Sequence, residues 1–130
     1  MPGLTLTLSG DDNLALAQRI VPKLTALTCE LLEKAPAQTM IIVRFMPHAQ
    51  WFIENRSLVE YARNSFRLEV TITEETNTKA QKARYQRAAY ELLAEEIGNL
   101  HPHSNIHIID CPGTSYSYGG VTQEYRFQHG

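Results

Sequence analysis

The feature that most constrains this chain is a pattern that occurs twice along its 130 residues. Residues 4–8 alternate leucine and threonine (LTLTL), the period of two expected of a strand with one buried face. Ser9-Gly10-Asp11-Asp12 interrupts that alternation and supplies side chains able to cap a helix. From residue 13 to residue 34, Leu14, Ala17, Ile20, Val21, Leu24, Leu27 and Leu31 recur at helical spacing. Pro22 falls inside this run, where a kink or a lost hydrogen bond is expected. Ala35-Pro36 closes the helix, and residues 40–45 (MIIVRF) read as a strand buried on both faces.

The same order then returns. Residues 66–72 alternate apolar and polar, Thr76-Asn77-Thr78 forms a turn and cap, and a helix is predicted over 79–97. His101-Pro102 ends it and residues 106–109 form the fourth strand. Pro36 matches Pro102 in position, Pro47 matches Pro112, Trp51 matches Tyr116 and Ile53 matches Tyr118. Two strand–helix–strand units in tandem follow, residues 1–58 and 65–130 of a single domain. Within each unit a strand that returns through a helix must run parallel, with a right-handed crossover. The predicted fold class is α+β, a four-stranded mixed sheet with both helices on one face. No segment remains to cover the other face, so the pattern predicts self-association, with a cyclic assembly as one solution.

Composition narrows the function classes. A net charge of −2 and no basic stripe argue against nucleic acid. Cys29 and Cys111 are far apart and lack a CxxC partner, which suits reduced thiols. His101 and His103 flank Pro102 without a third ligand at suitable spacing, so no metal is expected. Neither a membrane span nor a secretory leader is evident, and a cytoplasmic protein is expected.

The tandem units, the Met1-Pro2 start and the segment Tyr116-Ser117-Tyr118-Gly119-Gly120-Val121 together resemble the tautomerase superfamily. The likeness is to its fused, double-length 4-oxalocrotonate tautomerase-like branch and covers nearly the whole chain. Leu100-His101-Pro102 and Thr73-Glu74-Glu75-Thr76-Asn77-Thr78-Lys79 add to it. Trp51-Phe52-Ile53 looks like the matching hairpin of the first unit. Glu54-Asn55 stands there in place of Gly-Gly, so a different turn is expected. The resemblance implies a homotrimer, no cofactor, and one site per chain centred on Pro2, because the second unit's equivalent position falls near Arg67. The tail that includes Gln123 and Arg126 is expected to pair across subunits.

Once Met1 is removed, Pro2 carries a secondary amine with a lone pair. In an apolar pocket its charged form is disfavoured, so the neutral amine is available as a general base at physiological pH. A proton taken beside a carbonyl leaves charge on the substrate oxygen, which calls for a donor or cation opposite. The family places arginines in the loop that here reads Glu74 to Thr78; Asn77 stands in their place and offers hydrogen bonds without charge. Arg44, mid-strand in an apolar run, must have a partner or a ligand. Tyr116 and Tyr118 match the aromatic wall, and Trp51 is a further candidate for substrate contact or subunit packing. The expected activity is a cofactor-independent tautomerase acting on a small enol or 2-oxo compound. The alternatives are a non-catalytic trimeric binding or scaffold protein of the same fold, or a dehalogenase or decarboxylase of the superfamily.

Overall fold

The computed structural model describes residues 2–129. Strand β1 (Gly3–Ser9), helix α1 (Leu14–Leu32) and strand β2 (Met40–Met46) form the first unit. Leu4, Leu6 and Leu8 are buried while the threonines between them are half-buried, as the alternation requires. Asn13 caps α1 by accepting from the Leu16 N–H at 3.1 Å. The helix stops at Leu32, two residues early, because Glu33 takes the left-handed conformation (φ 55°) and its N–H turns back to the Cys29 carbonyl. Pro22 does not interrupt it: the helix is continuous and the proline faces solvent.

After β2 comes a two-residue hairpin, β3 (Phe52–Ile53) with β4 (Arg56–Ser57), and the single turn α2 (Leu58–Tyr61). The second unit repeats the order as β5 (Phe66–Thr73), α3 (Lys79–Ile97) and β6 (Asn105–Cys111). Its hairpin is β7 (Ser117–Tyr118) with β8 (Val121–Thr122), followed by α4 (Gln123–His129). α3 has the bounds expected of it. They are set locally by a capping box in which Thr78 and Gln81 satisfy each other's backbone N–H groups.

β1 and β2 run parallel, β5 and β6 run parallel, and the antiparallel pair β1–β5 joins them in the order β2-β1-β5-β6. α1 and α3 pack side by side on one face, enclosing Leu6, Leu24, Leu68, Val70 and Leu93. Each fully buried aliphatic side chain contributes roughly 1.5–3 kcal/mol relative to exposure. The Tyr85 phenol is also buried, its oxygen 2.8 Å from Thr28 Oγ1, which in turn donates to the Leu24 carbonyl. Burial pushes Tyr85 up to about 12, with the Thr28 hydrogen bond offsetting part of that rise.

The opposite face is bare in the single chain. β2 was expected to be buried on both faces. Instead Met40 is 64% exposed and Ile42 51%, and Ile109 on β6, at the opposite edge of the sheet, is exposed on the same face. Large apolar side chains at this density belong under a partner.

One further expectation is corrected. Glu54 and Asn55 have φ of 49° and 64°, and Gly119 and Gly120 have 58° and 80°. Both hairpins therefore turn with two consecutive left-handed residues, the mark of a type I′ turn, and the first turn is not of a different kind. Within the chain the tail coils into α4 against the 113–115 turn, and Arg126 Nη2 donates to the Tyr118 carbonyl at 3.1 Å. Gly10 N–H bonds the Met46 carbonyl as Glu74 N–H bonds that of Cys111. The counterpart of Pro2 is accordingly Phe66, one residue before Arg67. Among the described residues no helix is long and apolar enough to cross a membrane.

Candidate active site

Pro2 lies where the first unit's two strands begin. Its carbonyl accepts from the Met40 N–H at 3.3 Å, which fastens the start of the chain to the start of β2, and the residue is buried. The sheet register explains what surrounds it. Gly3 is opposite Thr71, and Thr71 is opposite Ile109, so the chain leaving β6 arrives beside Pro2. The hairpin that follows, Tyr116 to Gly119, lines with Pro2 an open cavity of about 780 Å³. Leu4, Ala37, Met40 and Ile42 supply its apolar wall; Gln38, Thr39 and Thr71 supply hydrogen-bonding groups.

The Tyr116 side chain reaches the start of β1, next to Pro2. Its hydroxyl oxygen lies 3.2 Å from where a Cβ on Gly3 would sit. Burial, and secondarily Cys111, holds its phenol above the ordinary tyrosine range, so it remains a hydrogen-bond donor at neutral pH. Tyr118 borders the same cavity, with the Arg126 guanidinium 4.9 Å from its ring centroid. Arg126 Nε is buried without a partner. Apart from these two tyrosines, no ionisable side chain lines the cavity among the described residues.

Pro2, Tyr116 and Tyr118 are therefore brought together, from opposite ends of the chain. Asn77 is not with them. Both hydrogens of its amide are engaged, to the Leu32 carbonyl at 3.0 Å and to Gln81 Oε1 at 3.1 Å, tying the end of α1 to the start of α3. Arg44 and Trp51 also lie elsewhere, sharing a hollow with Phe52 and Arg67. The partner expected for Arg44 is missing within the chain: it makes no hydrogen bond or ion pair among the described residues. His101 Nδ1 accepts from the His103 N–H at 3.0 Å, a loop-closing bond.

Sequence reasoning missed Gln38 and Thr39, which sit in an ordinary-looking loop after Pro36, and the packing of Arg126 on the Tyr118 ring. The only hint for the first two was their place before β2, at the same end of the sheet as Pro2.

No protein-family model matches this sequence, and no curated protein matches it. Solved structures match its shape. A wild-type fused 4-OT described as a symmetric trimer superposes with a TM-score of 0.83 at 12% identity, over 95% of this chain and 98% of that one. A native fused 4-OT gives 0.81 at 20% identity, over 94% and 96%. A macrophage migration inhibitory factor-like protein from Entamoeba histolytica gives 0.75 at 14%, over 93% and 97%. The fold of this chain is thus the fold of the fused 4-OT and migration inhibitory factor-like structures.

Proposed function

We propose that the protein is a cofactor-independent tautomerase in which Pro2 is the general base. The observation that carries this reading is the position of Pro2 in the wall of a largely apolar cavity that Tyr116 and Tyr118 also line. The reading requires loss of Met1, a residue outside those described, because only then is the Pro2 nitrogen an amine with a free lone pair. The apolar wall favours the neutral amine. That amine takes the proton of an enol hydroxyl, or of the carbon beside a carbonyl, and returns it at the other position. Tyr116, held protonated, donates to the oxygen on which charge develops.

The substrate class is a small enol or 2-oxo compound with an apolar body, since the cavity offers hydroxyl and amide donors and no cation. The working form is a homotrimer, the state described for a fused 4-OT of the same fold, and here neighbouring copies cover the bare sheet face. A dehalogenase or decarboxylase needs an acid to activate water or paired arginines, and the cavity walls have neither. The absence of a charged group there, together with Asn77 being tied to Leu32, favours one second reading, a trimeric binding protein of this fold without catalysis.

Turnover decides between them. The purified protein should show an intact mass lacking methionine and should ketonise phenylenolpyruvate. Pro2→Ala should lower kcat/KM by roughly 100-fold or more, the usual contribution of a general base. Undiminished activity in Pro2→Ala, or Met1 retained in protein from its natural host, would remove the catalytic assignment.

A further inference from the structure

The internal repeat duplicates more than the sheet. The Gln123 N–H bonds the Tyr116 carbonyl at 2.7 Å, and in the first unit the Leu58 N–H bonds that of Trp51 at 2.9 Å. Trp51 thus stands to Phe66 as Tyr116 stands to Pro2. A second cleft lies at this equivalent place, of about 230 Å³, lined by Trp51, Phe52, Phe66, Arg67, His103 and Asn105. It adjoins a hollow of about 340 Å³, behind the same Trp51, Phe52 and Arg67, that holds Arg44 and Glu69.

The chemistry of this cleft differs from that of the first in a consistent direction. Phe66 replaces Pro2 and is 1% exposed, so its backbone nitrogen is an internal amide and there is no base. Arg67 occupies the place of Gly3, so a guanidinium lines this cleft where the first unit has no side chain. Asn105, opposite Arg67 in the register, replaces Met40, opposite Gly3; its Oδ1 is buried and has no hydrogen-bond partner. Glu69 engages Arg67 through Nε at 3.5 Å, and no other hydrogen bond or ion pair holds Arg67 among the described residues. The whole Arg44 guanidinium is unpaired there. Two arginines therefore share the hollow with a single carboxylate, beside Trp51 and Phe52, while His103 and Asn105 line the adjoining cleft.

We propose that this proline-free cleft is a second ligand site, binding without turnover a small aromatic carboxylate that carries a neighbouring hydroxyl. The terminal nitrogens of Arg67 and Arg44 take the carboxylate, a planar acceptor matched to a guanidinium fork. Trp51 and Phe52 cover the ring. The ligand hydroxyl donates to Asn105 Oδ1, which satisfies an acceptor otherwise costly to bury.

Trp51 is the only tryptophan in the chain and lies in this cleft, whereas the Pro2 cavity has only tyrosines. Tryptophan emission therefore reads the second cleft selectively. Titration of the full chain with 3-phenyllactate should give a saturable change, while 2-phenylethanol, which has no carboxylate, should give none. Arg67→Gln and Arg44→Gln should each weaken binding by roughly tenfold or more, the worth of one charge-assisted bond. Pro2→Ala should bind as the parent does. Should Arg67→Gln fail to fold, Arg44→Gln decides, since Arg44 supports no contact within the chain. The site is overturned by absence of saturation, by parent-like affinity in Arg44→Gln, by equal response to 2-phenylethanol, or by loss of the signal in Pro2→Ala. None of these outcomes bears on turnover at Pro2, which is read by a different assay.

Discussion

The Tyr116 hydroxyl oxygen and Gly3 are in such close approach that a Cβ on the glycine would lie 3.2 Å from that oxygen. A methyl group here must push the phenol away from the start of β1. Gly3→Ala should keep the fold and lower kcat about tenfold, against roughly 100-fold for Tyr116→Phe if the phenol serves as an oxyanion donor. The double variant should lose little beyond Tyr116→Phe alone, because both changes act on one contact. A double-mutant cycle in kcat checks this, and strictly additive losses would contradict it.

The bare sheet face predicts assembly. Ile109 is 43% exposed in the single chain and lies outside the Pro2 cavity. Ile109→Glu places a charge where the proposed trimer buries an apolar side chain, an arrangement that is strongly unfavourable without a partner. Native mass spectrometry should show monomers, and far-ultraviolet circular dichroism should be unchanged because the core between sheet and helices is untouched. Persisting trimers would place the interface elsewhere.

The two hairpin turns should respond oppositely to substitution. Glu54 adopts φ 49° with a side chain that disfavours it, so Glu54→Gly should stabilise the protein by about 0.5–1 kcal/mol. Gly120 adopts φ 80°, and nothing lies within 4 Å of a Cβ built on it. Gly120→Ala should therefore destabilise by about 1 kcal/mol through backbone conformation alone, not through crowding. Denaturant midpoints measure both; a clear loss in Glu54→Gly would mean that its side chain does something the turn geometry does not reveal.

Alkaline stability should depend on Tyr85. Its phenol titrates near 12 in the fold against an ordinary value of 10, so the native state holds its proton more tightly than the unfolded chain. The contribution, roughly 2–3 kcal/mol, is fully present below pH 10 and is lost as pH rises through about 12. In Tyr85→Phe the fall of stability over that interval should flatten, at a cost of roughly 1 kcal/mol at neutral pH for the missing bond to Thr28. Urea melts across pH 9–12 would show it, and parallel curves for the two proteins would refute it.

What the sequence by itself determined is whatever depends on near neighbours. The LTLTL alternation and the Thr76-Asn77-Thr78 turn and cap placed β1 and α3, since strand period and helix caps are settled within a few residues. The repeat of landmarks was enough to predict two parallel units, a mixed sheet and an uncovered face. Pro2, Tyr116 and Tyr118 were singled out through a resemblance, and it took the antiparallel β1–β5 pairing to carry Tyr116 across more than a hundred residues to Gly3. Only the tertiary structure tied Asn77 to the end of α1, since a free amide and an engaged one look alike in sequence. Only it set Arg44 beside Trp51 and away from Pro2, because strand alternation assigns a face but not a position along it. Closure of the first hairpin likewise imposed left-handed backbone on Glu54, against a local preference that had pointed to another turn. Long-range pairing outweighed that preference, as the strain of about 1–2 kcal/mol is small beside the packing it permits.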